Sequence, residues 1–267
     1  MKNTKKFFIP TLLVLFGLAT LSFMAKESLT LRLHPQQGKS YTVNSKASSM
    51  NMMEVQGQTL SMTQTMETNQ SFTIKETTEA QSVIESQIES LKMSVSQMGM
   101  KFEYDSEHPE KTSPMIASQT KEMEKSLKKP STTTYDAMGN VISEMEEVSM
   151  NTLGNVIIKM PEEPISVGST WKTSNTQSVS EMEMTVEFTY TVTAITKKGV
   201  DISFTGNILT NKDNITGNYT GTATIDQNTG LLIKSNTKSN ISMTISEQGL
   251  SIPTTVTGNT TVTVTEK

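Results

Sequence analysis

The residues best suited by type to acid–base work are paired carboxylates: Glu146 and Glu147, Glu162 and Glu163, and the trio Glu181, Glu183 and Glu187. Two carboxyl groups brought across a cleft serve as general acid and general base. The trio, however, shares the polar parity of an alternating segment, which assigns it to the wet face of a strand. Nucleophilic chemistry is poorly supplied, because there is no Gly-x-Ser-x-Gly elbow and the two histidines, His34 and His108, each precede a proline in a loop context. Asp105, Glu107 and Glu110 offer oxygen ligands at a spacing that matches no calcium loop. Methionine is the unusual type, with 19 residues grouped at Met50, Met52 and Met53, at Met62 and Met66, at Met98 and Met100, and at Met182 and Met184. Thioethers are soft ligands for monovalent copper when about three converge. They are also flexible, polarizable filler, and a sheet face paved with them adapts to irregular apolar guests.

Composition removes other chemistries. With no cysteine and two histidines, disulfides, thiolate zinc sites and a histidine-rich metal centre are out of reach within one chain, and no cofactor is expected. The basic residues are lysines apart from Arg32, the net charge is −4, and no basic stripe suited to nucleic acid is present. Ser and Thr together supply 73 of the 267 residues, against 34% apolar and 19% charged, so the chain folds with a heavily hydroxylated surface.

At the N-terminus Lys2, Lys5 and Lys6 precede the apolar run Phe7 to Phe16, and small residues follow at Gly17, Ala19, Ser22 and Ala25. That order predicts a signal peptide over 1–25 and an exported, periplasmic or secreted product. No cysteine follows the run, so the acylated lipoprotein route is not expected.

The elements that must position these residues are strands. Leu60, Met62, Met66, Phe72 and Ile74 alternate with Ser, Thr, Glu and Asn, and the same parity recurs in Met98, Met100, Phe102 and Tyr104 and from Met182 to Val192. Turn residues at Met138-Gly139-Asn140, Lys198-Gly199 and Asn228-Thr229-Gly230 connect neighbours as hairpins. Ser113 and Pro114 open a helical pattern through Ile116, Met123 and Leu127 that Pro130 stops. The expected fold is therefore mainly β: strongly curved antiparallel sheets in two related halves, 26–160 with a helix insertion and 161–267, with one covering α-helix near 114–128. Gly38-Lys39-Ser40-Tyr41 echoes Gly168-Ser169-Thr170-Trp171, and Thr134 to Gly139 echoes Thr224 to Gly230.

The stretch Pro161-Glu162-Glu163-Pro164 running to Gly168-Ser169-Thr170-Trp171, with Gly217 to Gly221 and Asp226 to Gly230, resembles an uncharacterised family of bacterial exported proteins, a domain of unknown function. The resemblance implies a location and a β fold, and carries over no catalytic residue. In architecture the expected fold is also similar to the half-barrel lipoprotein carriers of the bacterial envelope, which hold acyl chains. The resulting reading is a non-enzymatic exported envelope protein. Its methionine-rich apolar cavity, formed by Met62, Met66, Phe72, Met98, Met100, Phe102, Trp171, Met184 and Phe188, takes a lipid or other apolar, acyl-like small molecule. The alternatives are a structural role with an envelope protein partner, and binding of monovalent copper by methionine.

Overall fold

The computed structural model describes residues 28–145, 153, 156–179, 182–210, 214–247 and 250–267. The expected signal segment and the carboxylates Glu146, Glu147 and Glu181 lie outside them. The elements in chain order are β1 (Ser40–Val55), β2 (Gln58–Thr77), β3 (Gln81–Gln97), β4 (Met100–Asp105), α1 (Ala117–Ser126), β5 (Ser131–Asp136), β6 (Val141–Met145), β7 (Thr170–Val179), β8 (Met182–Thr196), β9 (Gly199–Leu209), β10 (Ile215–Ile225), β11 (Leu232–Glu247) and β12 (Leu250–Glu266).

These segments are strands because Thr, Val and Ile repeat at period two, leaving one face wet and one buried. The tight hairpins follow turn chemistry. Gln56-Gly57 joins β1 to β2 and Met98-Gly99 joins β3 to β4, with φ near 51° and 79° in the first and 51° and 78° in the second. Positive φ at both central residues gives the turn whose twist matches the strands it connects.

All twelve strands belong to one sheet in the order β6-β5-β3-β2-β1-β12-β11-β10-β9-β8-β7, and β4 pairs with the far end of β3. Every pairing is antiparallel, and the first and last strands meet mid-sheet in a long register from Tyr41↔Glu266 to Met53↔Thr254. The sheet does not close, since β6 and β7 remain as edges. This corrects the expected fold of curved sheets in two halves under a helix. The β1–β12 ladder fuses the two runs of strands into a continuous sheet, and one principal core draws on both, from Tyr41, Phe72 and Ile84 to Trp171, Ile202 and Ile225.

The cover is also not the expected one. The helix forms over Ala117–Ser126 and approaches the sheet at β4, where the Glu124 carboxylate lies beside the Tyr104 phenol, rather than lying across the sheet. The flanking residues Ile116 and Leu127 join Leu91, Tyr104, Met66, Met93 and Phe102 in a small satellite cluster at the β3–β4 corner. A ten-residue helix has too little apolar stripe to span a sheet this wide. The principal core is instead closed by two irregular segments, which contribute Leu31 and Leu33 on one side and Leu153, Val156, Ile157, Met160 and Ile165 on the other. They are joined by reciprocal backbone bonds between Leu29 and Ile165, both 2.8 Å. Arg32 clasps them as well: Nη1 donates to the Pro161 carbonyl at 3.0 Å and Nη2 to the Glu162 carbonyl at 2.8 Å.

Two aspartate turns anchor this closed end. Asp136 Oδ1 accepts from the Met138 and Asn140 amides, and Asp226 Oδ1 accepts from the Asn228 and Thr229 amides. The Leu33 amide donates to the Ala137 carbonyl and the His34 amide to the Thr229 carbonyl, at 2.8 and 2.9 Å, so the 31–34 segment bridges both turns. The helix segment interrupts what would otherwise be a single strand: β5 pairs with the start of β3 and β4 with its end, whereas β10, which carries the second aspartate turn, runs unbroken.

Candidate ligand-binding site

Above the closed end the inner face of the sheet encloses a cavity of about 600 Å³. Its lining comes from Tyr135 of β5, the turn into β6 with Val141, the 157–159 segment, and strands β7 to β12, so the sheet bends far enough for strands distant in its order to face one space.

The floor is aromatic and is built by strand register. Trp171 on β7 pairs with Tyr190 on β8, Tyr190 with Phe204 on β9, and Phe204 with Gly221 on β10. In the next row Phe188 pairs with Gly206, which pairs in turn with Tyr219. Ring centroids lie 5.0 Å apart for Trp171–Tyr190, 5.7 Å for Tyr190–Phe204 and 5.8 Å for Phe188–Tyr219, within the range of favourable aromatic contact. The glycines let the rings lie down. A Cβ on Gly206 would stand 2.6 Å from a Phe188 ring carbon, and one on Gly221 would stand 2.4 Å from Phe204 Cζ. Each ring therefore occupies the space of a missing side chain on the neighbouring strand, the packing by which aromatics compensate glycine within a sheet.

Next to the rings in the sheet, Ser235 and Thr237 of β11 and Thr260 of β12 line the cavity with hydroxyl groups, Thr237 pairing with Gly221. Burial pushes the Tyr190 phenol above the ordinary tyrosine range, with a hydrogen bond involving Thr173 acting the other way, and burial alone raises Tyr219. Both rings therefore stay neutral at physiological pH. Among the described residues, Lys159 is the one charged residue of the lining.

The cavity brings together two of the residues expected from sequence, Met184 and Phe188. Trp171 lies behind it: 9% exposed, stacked on Tyr190, with its indole N–H donating to the Lys159 carbonyl at 2.9 Å. Phe72 is 1% exposed and stacks on Tyr41 at 4.8 Å in the principal core. Met66 and Phe102 pack in the satellite cluster, and Met62 is half-buried on β2. Met98 sits at the tip of the β3–β4 hairpin, 71% exposed, and Met100 beside it is 51% exposed. The lining is thus aromatic rather than methionine-rich. The sequence reading missed Tyr135, Ile157, Phe204 and Tyr219 as lining residues. A signal for part of this set was present, since Gly206 and Gly221 interrupt alternating strands at inward positions where a side chain belongs.

The candidate chemical groups have other partners. Glu187 pairs with Lys172 at 2.9 Å, Asp105 and Glu107 both pair with Lys92 at 3.1 Å, and His108 faces Glu110 at 3.4 Å. Glu162 and Glu163 are exposed in the loop before β7, and the Glu183 side chain lies outside the described set. Among the described residues, no group of three or more His, Asp or Glu side chains is placed to hold a metal ion.

A family of unknown function, DUF6263, matches residues 143–232. This span contains the whole aromatic floor, from Trp171 to Gly221. No curated protein matches. Among solved structures, a lipovitellin structure concerned with lipid–protein interactions is 12% identical with a TM-score of 0.47, over 86% of this chain and 25% of that one. The chain thus spans a quarter of the length of that relative. An outer membrane channel from Pseudomonas putida F1 is 8% identical with a TM-score of 0.28, over 87% of this chain and 98% of the channel. The translocator domain of the autotransporter NalP from Neisseria meningitidis is 9% identical with a TM-score of 0.24, over 86% and 89%. None of the three superposes closely.

Proposed function

We propose that this protein is a non-enzymatic, exported binding protein of the cell envelope that holds a hydrophobic, acyl-like ligand in the cavity beneath Tyr135 and above the Phe188–Tyr190–Phe204–Tyr219 floor. The observation that carries the reading is the floor itself. Phe188 and Phe204 lie over Gly206 and Gly221, and together with Tyr190 and Tyr219 they border a space of about 600 Å³, a size and lining suited to a small apolar guest. A sealed core would fill that space with side chains, because interiors pack to the density of organic crystals. The order of charge, apolar run and small residues at the N-terminus supports export.

The experiment is a titration of the purified protein with a hydrophobic dye and then with fatty acids of increasing chain length, read by dye emission and by Trp171 fluorescence, since the indole stacks on the floor residue Tyr190. Saturable one-to-one binding, with the dye displaced by fatty acid, is the expected result. Absence of saturable binding by either probe overturns the reading.

A further inference from the structure

Resting on that reading, we infer that Lys159 is the headgroup anchor of the cavity and that the ligand is an amphiphile with an apolar body and a single anionic head. Among the described residues every other lining residue is uncharged, so this ammonium is the one full charge they offer a guest. Its position is fixed from both ends. The Lys159 backbone carbonyl receives the Trp171 indole N–H at 2.9 Å, and the ammonium donates to the Ser174 carbonyl of edge strand β7 at 3.2 Å. An ammonium has three donors, and this arrangement commits one of them to a neutral carbonyl. Among the described residues no carboxylate forms an ion pair with Lys159, whereas Lys172, on the same edge strand, is paired with Glu187. Two charge-bearing N–H groups are thus held at the border between an aromatic floor and solvent, where a carboxylate, sulfate or phosphate head would lie once its tail covered the rings. Charge-assisted hydrogen bonds of this kind are roughly twice as strong as neutral ones. The hydroxyls of Ser235, Thr237 and Thr260 elsewhere in the lining offer neutral contacts and do not distinguish one head from another.

The test uses twelve-carbon probes that share a tail and differ in head: dodecanoate, dodecyl sulfate, dodecanol and dodecylamine, each below its micellar concentration, titrated against the full chain and against Lys159→Gln. The expected result is that dodecanoate and dodecyl sulfate bind about ten- to a hundredfold more tightly than dodecanol or dodecylamine. Lys159→Gln should lower the two anions to the dodecanol level and leave dodecanol unchanged, and the anion preference of the wild type should shrink with added salt. The Trp171 bond is to the Lys159 main chain, so unchanged Trp171 emission certifies that the variant is folded. Equal binding of all four heads, or an unchanged preference in Lys159→Gln, overturns the anchor while leaving apolar binding in place. Failure of every probe, dodecanol included, overturns the binding reading itself.

Discussion

Replacing Gly221 with alanine tests the aromatic floor most directly. A Cβ there would stand 2.4 Å from the Asn236 carbonyl oxygen, 2.4 Å from Phe204 Cζ and 2.9 Å from Phe204 Cε1. Two of these atoms belong to a ring that can lift, but the third is main chain of the neighbouring strand β11, so relief requires moving backbone by several tenths of an ångström. Overpacking of this kind costs about 1–3 kcal/mol, and forcing Phe204 off its rotamer adds about 1 kcal/mol. The smaller conformational freedom of alanine in the unfolded chain returns about 0.4–1 kcal/mol. The net expectation is a loss of about 2 kcal/mol, or roughly 4–8 °C in Tm for a domain of this size. Gly217→Ala is the control. Its nearest neighbour is the free end of Ile208 at 2.7 Å, with main chain no closer than 3.2 Å, so that loss stays below about 1 kcal/mol. Guanidinium unfolding followed by Trp171 emission, at constant m, measures both. Equal midpoints for Gly221→Ala and Gly217→Ala would refute the idea that ring-over-glycine contact holds the floor in place.

Trp171→Ala should destabilise by roughly 3–5 kcal/mol, since it removes a buried indole, its stack on Tyr190 and its bond to Lys159, and the wild-type emission maximum should be that of a shielded indole. Tyr41, Tyr104, Tyr190 and Tyr219 all have phenols raised by burial, so the stability they confer is complete below about pH 10 and declines as pH rises toward their folded values. Unfolding curves taken from pH 8 to 11 should show that decline, and Tyr190→Phe should make it shallower. Under mild peroxide, peptide mapping should find Met98 and Met115 oxidised ahead of the other methionines of the described residues, because they are 71% and 70% exposed, with little change in the unfolding midpoint.

Much of the sheet was legible because period two is a one-dimensional signal. Alternation puts Met184, Val186, Phe188, Tyr190 and Val192 on one face, and that face looks inward. The β1–β12 ladder was not legible, since pairing between positions as distant as 41 and 266 leaves no local trace. The cover differs from the expected one for a related reason. A helical pattern at 114–128 stood out as the one interruption of the strands, whereas the residues that close the core lie in segments too irregular to show a period, apart from the short alternation of Leu29, Leu31 and Leu33. At the candidate site the methionines drew attention by composition, yet Met98 and Met100 belong to a hairpin tip, where side chains meet solvent whatever their type. The lining was set by cross-strand neighbours, and a register that pairs Phe204 with Gly221 appears only once the strands are aligned.

The mid-sheet junction of first and last strands also governs how the molecule is assembled in time. Apart from β1–β12, every contact between long strands joins elements close in sequence, so β1 to β3 and β7 to β12 each grow by successive hairpins with short loops to close. The β1 edge that receives β12 stays unpaired until the chain has been extended from position 53 to at least position 254. Loop-closure entropy on that scale makes the junction the slow step of folding. During that interval β1, with Met50, Met52 and Met53 near its end, presents an unpaired edge open to wrong partners. A protein with this strand order is therefore expected to depend on how long that edge goes unpaired more than on the stability of the finished sheet.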